Sequence, residues 1–449
     1  GRWMIIYKVK EQVINDISGW KPKDRYAVLI VESDEANPLV WKPSPLTEFL
    51  EVYMSEKAVN TKIHYGYVIC DFLNYLKLQI ELGEDECFDI LQEEGIYGLN
   101  FIHASKYLTY IGTRKTKVNK QGEEELVVNN YSTVKRKENI LISFYTFLNK
   151  KKILTNKDAI VEHKVVPIKN RGNVTSKGKR VSISPFKDSL EYKVFYPPTN
   201  PTNSYGESIK AIKLADMKRV TWELFLEYAR ENYPDIALGV AMQFMGGLRL
   251  GEVVNLTIDA VEVNRDKDKL FLDINDRQLF LFKSLKSKKS QVKFARENQV
   301  VFNWNQELFN TWDEHMKYLS KLKKRTNIKA LFVNKKGNPM TGDVYEERFK
   351  KLKSDFIEFL ENSKPVESKT LKKYAWSTHI GRHVFTNFII KTGLANNSMG
   401  VPDAKIVASL RGDRNLSSAL AYIDRIAMVE AIDENLQNLS KEALKEERV

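Results

Sequence analysis

Three changes of rhythm in the apolar and polar positions divide the chain. Residues 1–42 mix short apolar runs, MIIYKV and YAVLIV, with proline and charge, and are expected as a small appendage. From Ser44 the pattern turns helical. Ser44-Pro45 suits a helix start, and LTEFLEVYM follows with its apolar residues on one face. In NTKIHYGYVICDFLNYLKL, Val68, Phe72 and Leu76 recur every four residues. In NNYSTVKRKENILISFYTFLNKKKIL, Val134, Leu141, Phe144 and Leu148 share one face, Ser132 or Thr133 can cap the helix, and Lys135, Arg136 and Lys137 crowd the other side. Residues 43–160 are therefore expected as a helical domain with basic helix termini.

Residues 161–205 lose this periodicity. KNRGNVTSKGKR, SISPFK and YPPTNPTNSYG are dominated by Pro, Gly, Ser and Lys, as in an extended basic linker. Helices resume near Ile209 and run to Gly246. A β-rich patch follows (KLFLDI, QLFLF, QVKF, NQVVF), and then helices to the end. The expected fold class is mainly α and multidomain: a helical domain over 43–160, the linker over 161–205, and an α+β domain with a small antiparallel sheet over 206–449. No internal repeat is visible.

The 449 residues exceed what one core usually holds. A net charge of +13, from 71 Lys and Arg against 58 Asp and Glu, points to a polyanionic partner, either nucleic acid or an anionic membrane surface. Lys135, Arg136 and Lys137 on the helix face, and Lys177, Lys179 and Arg180 in the linker, are the candidate DNA contacts, the linker cations suiting a chain laid along a phosphate backbone. Cys70 and Cys87 are the only cysteines. Without a CxxC or Cys/His cluster, no metal site is expected. There is no run of about 18 apolar residues and no signal-peptide pattern, so a cytoplasmic location without membrane attachment is expected.

Three segments carry candidate chemistry. In MGGLRLGEVVNL a glycine pair ends one helix and Arg249 opens the next. HIGRH supplies His379, Arg382 and His383, the first two on one helical face. SLRGDRNLSSALAYID ends at Tyr422, on the second helix of a helix-turn-helix pair. Singly, each has a bland explanation: GLR at a helix start is commonly structural, helical histidines are mostly packed or on the surface, and a tyrosine among Leu420, Ala421 and Ile423 is usually core.

In this order and spacing the segments resemble the tyrosine recombinase (phage integrase) family. Its motifs are an Arg in a GLR-x-x-E context, H-x-x-R-H, and a Leu-Gly-His box ending in Tyr; here they read GLRLGE, HIGRH and Gly412 ten residues before Tyr422. The resemblance covers residues 206–425, and more weakly the family's helical core-binding domain over 43–160. It implies a recombinase or type IB topoisomerase-like fold, with Tyr422 as a nucleophile forming a 3′-phosphotyrosine. Arg249 and Arg382 would clamp the phosphate, because guanidinium stays protonated and forks onto its oxygens. His379 would assist proton transfer, with His383 in a supporting position. The ester conserves bond energy, so no cofactor is implied. The family takes a general-acid lysine from a β-hairpin; FKSLKSKKSQVKF offers Lys286 first, then Lys288 or Lys289, since the register is not fixed by sequence.

One position departs from the pattern. Where the family places His or Trp after the box glycine, this chain has Asp413, which when ionised only accepts hydrogen bonds and repels phosphate. Either Asp413 turns away, towards Arg411 or Arg414, or the site is weakened, with Arg414 or Asn415 as substitute donors. The resemblance further implies double-stranded DNA at specific sites as partner, a homotetramer on DNA, accessory DNA-bending or element-encoded proteins, and a nucleoid location. An amphipathic C-terminal helix (Ile426, Val429, Leu436, Leu439) would either pack at home or exchange between protomers. The appendage over 1–42 would meet arm-type DNA sites or protein. Asp413 keeps open a DNA-binding regulator that retains the fold without catalysis. A monomeric type IB topoisomerase fits the motif spacing less well, and a membrane-surface protein least.

Overall fold

The computed structural model describes residues 5–430 apart from 17–22, 35–36, 38, 115, 119–123, 127–128, 171–172, 200–211, 284–287, 415 and 429. The chain separates into two units, Gly1–Lys210 and Ala211–Val449.

In the first unit, β1 (Ile5–Asp16) and β2 (Lys23–Asp34) pair antiparallel in unbroken register, and β3 (Trp41–Pro43) extends the sheet beside β2. Alternation along β2 turns Val28 and Ile30 inward, into the same core as the helices. Within the stretch expected as an appendage, these strands therefore pack onto this unit's core, through Val28, Ile30, Tyr7 and Val9. Helices α1 (Val59–Leu82), α2 (Phe101–Thr113) and α3 (Tyr131–Lys150) supply most of the rest. The faces expected from the periodicity, Val68, Phe72 and Leu76 on α1 and Val134, Leu141, Phe144 and Leu148 on α3, are buried. Each such side chain contributes about 1.5–3 kcal/mol through removal from water. The α3 cap is Asn130 rather than Ser132 or Thr133. Its extended backbone lets the side-chain oxygen accept the Thr133 N–H at 3.0 Å, and both hydroxyls bond to the same oxygen.

The stretch expected as an extended linker folds back instead. β4 (His163–Asn170) and β5 (Asn173–Ser182) form an antiparallel hairpin, and beyond it Phe186 and Val194 enter the first core. Glu138 on α3, fully buried, holds this stretch by accepting from Ser184 Oγ at 2.7 Å and from the Tyr196 hydroxyl.

In the second unit, α4 (Arg219–Asn232) leads to α5 (Ala237–Gly246), apolar almost all round except for Gln243 and buried along its whole length. A short α6 (Leu250–Val254) follows. Strands β6 (Val261–Asn264), β7 (Lys269–Ile274) and β8 (Arg296–Phe302) form the small antiparallel sheet with β7 in the middle. QLFLF, expected as a strand, is helix α7 (Gln278–Phe282). Asp276 accepts the Gln278 N–H at 3.2 Å and Asn255 accepts the Arg277 N–H at 2.7 Å, which starts a helix where a strand would need a sheet partner. QVKF is likewise outside the sheet. Helices α8 (Leu308–Lys321), α9 (Gly342–Ser363) and α10 (Pro365–Lys373) complete the main core.

Helix α11 (His379–Lys391) lies against α5 so closely that a Cβ on Gly381 would meet Phe244 at 2.8 Å. A smaller apolar cluster joins α11 to α12 (Ala404–Arg411) and to α13, residues 417–428. Ala419 and Ile426, two turns apart, are the buried face of α13 and fix its rotation. No helix among the described residues is long and apolar enough to cross a membrane.

Candidate active site

Four pieces of the second unit meet at one place, and backbone chemistry explains each approach. Gly247 ends α5 in the left-handed region (φ 66°), where a Cβ would strike Phe385 of α11 at 2.5 Å. That turn delivers Arg249 as the N-cap of α6. Gly412 ends α12 in the same conformation (φ 66°), with a Cβ position 2.1 Å from Arg296 Nε. Glycine is thus needed at both for conformation and for space.

Glu252 on α6 is the anchor. Its buried carboxylate accepts the Arg249 N–H at 2.8 Å, Arg249 Nη1 at 2.9 Å, and Arg296 Nη1 and Nη2 at 2.8 and 3.1 Å. Burial alone would raise its pKa, but the two guanidiniums outweigh burial and hold it below the ordinary carboxylate value. Arg249 is thereby aimed with Nη2 outward.

Arg382, 1% exposed, ties the segments together. Nη1 donates to the carbonyls of Gly247 (2.6 Å) and Arg411 (2.7 Å), and Nη2 donates to Asp413 Oδ1 at 2.6 Å. The same Oδ1 accepts from Arg249 Nη2. Arg411, 4% exposed, brings a third guanidinium: Nε lies 3.3 Å from Asp413 Oδ2 without a hydrogen bond, and Nη1 reaches Ser418 Oγ at 3.3 Å. Asp413 has therefore turned into the cluster. Arg414 faces away over Phe294 at 4.6 Å, and Asn415 lies outside the described residues.

Tyr422 on α13 completes the arrangement. Its hydroxyl contacts His383 Nδ1, and its ring lies under the guanidiniums of Arg411 (4.8 Å) and Arg425 (5.1 Å). Arg425 is steadied by Asn387 Oδ1 at 2.8 Å. The residue touching the tyrosine is therefore His383, one turn beyond the expected His379. A step of four residues along α11 puts both imidazoles on one side, 4.8 Å apart and edge to face. Both are pushed down to about 4, first by desolvation among the packed side chains and then by neighbouring groups that disfavour a second positive charge: His383 and Arg382 for His379, which is itself exposed, and Arg411 and Arg425 for His383. They are neutral at pH 7. Burial raises the Tyr422 pKa, an effect that Arg411, Arg425 and Arg382 partly oppose. At neutral pH the site holds a phenol against a neutral imidazole, so Nδ1 can accept the hydroxyl proton. Burial, then Arg249 and Arg411, push Arg382 down to about 9 despite Asp413 and Glu252; the positive potential here exceeds what the two carboxylates offset.

Other expected site residues are placed differently. Lys286 lies outside the described residues. The segment offering it joins β7 to β8 through α7 and a 3₁₀ turn, Lys288–Ser290, rather than a tight hairpin. Lys289 is exposed and paired with Glu346 and, at 3.6 Å, Asp343. In the first unit Lys135 is paired with Glu138, and Lys137 with Asp71 at 3.1 Å. Arg136, Lys179 and Arg180 are exposed, and the side chain of Lys177 lies outside the description. Among the described residues no group of three or more His, Cys, Asp or Glu could hold a metal ion. The reading from sequence passed over Arg296, which nothing local distinguishes, and took Arg411 only as a partner for Asp413.

The class of site is thus a half-buried tyrosine–histidine pair beside converging guanidiniums, an arrangement suited to an anionic ester. No family model matches the chain, and no curated protein sequence matches it. Solved structures similar to it include the XerH site-specific recombinase bound to its difH substrate before cleavage, at 13% identity over 81% of this chain and 76% of that one (TM-score 0.47). The Tn1549 transposon integrase with a circular-intermediate DNA is similar at 15% identity over 80% and 99% (TM-score 0.43). A lambda integrase dimer bound to a COC′ core site is similar at 10% over 84% and 93% (TM-score 0.41).

Proposed function

We propose that the chain is a DNA strand transferase of the tyrosine recombinase type, cutting and rejoining duplex DNA through a 3′-phosphotyrosine at Tyr422. One observation carries this: the Tyr422 hydroxyl contacts a neutral histidine and its ring stacks under Arg411, in the cluster where Arg249 and Arg382 converge from separate elements. Attack on a phosphodiester needs a nucleophile that can lose its proton and cations that meet charge on the non-bridging oxygens. The Tyr422 oxygen attacks phosphorus as its proton passes to His383 Nδ1. The P–O5′ bond breaks and the 5′-oxygen leaves, protonated by a general acid for which Lys286 remains the candidate. Religation reverses these steps, and the retained ester needs no energy source.

His379, edge-on to His383, orients it. Integration, excision or transposition of a mobile element, a homotetramer on specific DNA sites, accessory proteins, and a cytoplasmic, nucleoid-associated location belong to this reading. Arg136, Lys179 and Arg180 are its candidate backbone contacts in the first unit, being exposed cations. The test is trapping: nicked suicide duplexes from an element-end library, with the wild type and Tyr422→Phe compared for SDS-resistant complexes. An adduct absent from the Phe variant supports the reading.

The second reading, a DNA-binding regulator without catalysis, is favoured by Asp413 seated among the arginines. Specific DNA binding with no adduct from either protein would select it.

A further inference from the structure

Asp413 is bonded in an unusual way. One carboxylate oxygen serves both Arg249 and Arg382, while the other, buried, makes no hydrogen bond although Arg411 Nε is 3.3 Å away and also without one. The Asp413 carboxylate, on one short stem, meets three guanidiniums that approach from three helix ends but hydrogen-bonds through only one of its oxygens. A tetrahedral phosphodiester also carries a single negative charge, but spreads it over two non-bridging oxygens that diverge further. Exchanging one anion for the other leaves the charge of the cluster unchanged.

We propose that Arg249, Arg382 and Arg411 form a three-arginine phosphate cradle, with Arg411 the third phosphate-binding cation. Asp413 is a surrogate anion that occupies the cradle until phosphate displaces it. The proposal rests on the strand-transfer reading for the identity of the anion as a DNA phosphodiester. Three features support it. Arg411 is almost wholly buried yet keeps an unused donor, Nε. Its guanidinium lies 4.8 Å above the Tyr422 ring, the side chain that carries the nucleophile. Displacing Asp413 needs only side-chain rotation, because its backbone is held independently by the Asp413 N–H to the Ala408 carbonyl at 2.8 Å and its side chain is 12% exposed. The chain thus replaces a neutral donor after the box glycine by a pair: a cation before the glycine and a removable anion after it.

The experiment measures inorganic phosphate binding to the full chain by titration calorimetry at neutral pH and fixed ionic strength. Asp413→Asn, isosteric and uncharged, is expected to bind phosphate at least about tenfold more tightly than the wild type. Adding Arg411→Gln to that variant should remove most of the gain, and Arg411→Lys should keep part of it. An Asp413→Asn protein that binds phosphate no better than wild type overturns the proposal, as does a gain that survives Arg411→Gln. Should Asp413→Asn be too unstable for calorimetry, its melting temperature should rise with added phosphate more than that of the wild type; an equal or smaller rise is also a refutation. The trapping assay separates the two readings. Tightened phosphate binding without a Tyr422 adduct leaves the cradle standing and removes strand transfer. An adduct without tightened binding does the reverse.

Discussion

Glu252→Gln tests whether the buried carboxylate organises the site. The native side chain is fully excluded from solvent and accepts four N–H groups, three of them from guanidiniums. Glutamine keeps the shape and one acceptor oxygen, but its NH2 must face a guanidinium donor, and Arg296 loses its charge partner. Removing one member of a buried ion pair costs about 3–5 kcal/mol, and the retained oxygen places this case near 3. At about 2–4 °C per kcal/mol for a unit of roughly 150–250 residues, the melting temperature should fall by about 6–12 °C. Differential scanning calorimetry at pH 7 reads this directly, and the double variant with Arg296→Met should cost clearly less than the sum of the singles. Because Glu252 titrates below its ordinary value of 4.5, its contribution is present above that pH and fades as pH falls through the depressed folded value. The gap between wild type and variant should therefore close in acid. A shift under about 2 °C, or strictly additive variants, would show that the carboxylate does not hold the arginines.

Four further outcomes are expected. His383→Gln should slow adduct formation by about 100- to 10,000-fold, the usual worth of a positioned proton acceptor, and His379→Gln by much less; equal effects would deny His383 its separate role. Since both histidines fall from 6.5 to about 4 on folding, their stabilising effect is complete above pH 6.5 and lost on acidification towards 4, a limb that His383→Gln should flatten in pH-dependent melts. Gly412→Ala, forced into a left-handed backbone and against Arg296, should cost at least about 1–2 kcal/mol in chemical denaturation. With about ten phosphate contacts, DNA affinity should fall with a log–log salt slope near −9, and a slope near zero would reject an electrostatic clamp.

Much of this was visible along the chain because it is local. Val68, Phe72 and Leu76, or Val134 and Leu141, declare their helices by spacing alone, and Gly247 and Gly412 mark turns that few other residues can make. What stayed hidden depends on partners far away. QLFLF carries four consecutive apolar residues, compatible with helix or strand, and Asn255 and Asp276 decide between them. The hairpin over 163–182 reads as linker because its pairing is cross-strand and its residues are those of loops. At the site, Tyr422, Arg249 and Arg382 stood out as motif, and folding brings all three to one place. Which of His379 and His383 touches Tyr422 depends on the rotation of α13, which Ala419 and Ile426 set by packing. Arg411 was in plain view beside Asp413, but only folding carries it over the tyrosine ring.

Arg382 spends two of its hydrogen bonds on main-chain carbonyls, one at the end of α5 and one at the end of α12. It is therefore a clasp between distant stretches of chain as well as a charge. Even lysine, with one compact head, cannot reproduce that reach. A worker wanting an inert but intact protein for DNA-binding studies should leave this arginine alone. Its loss would blur two questions, whether the protein can cut and whether the unit is still assembled. Removing the single oxygen of Tyr422 asks only the first.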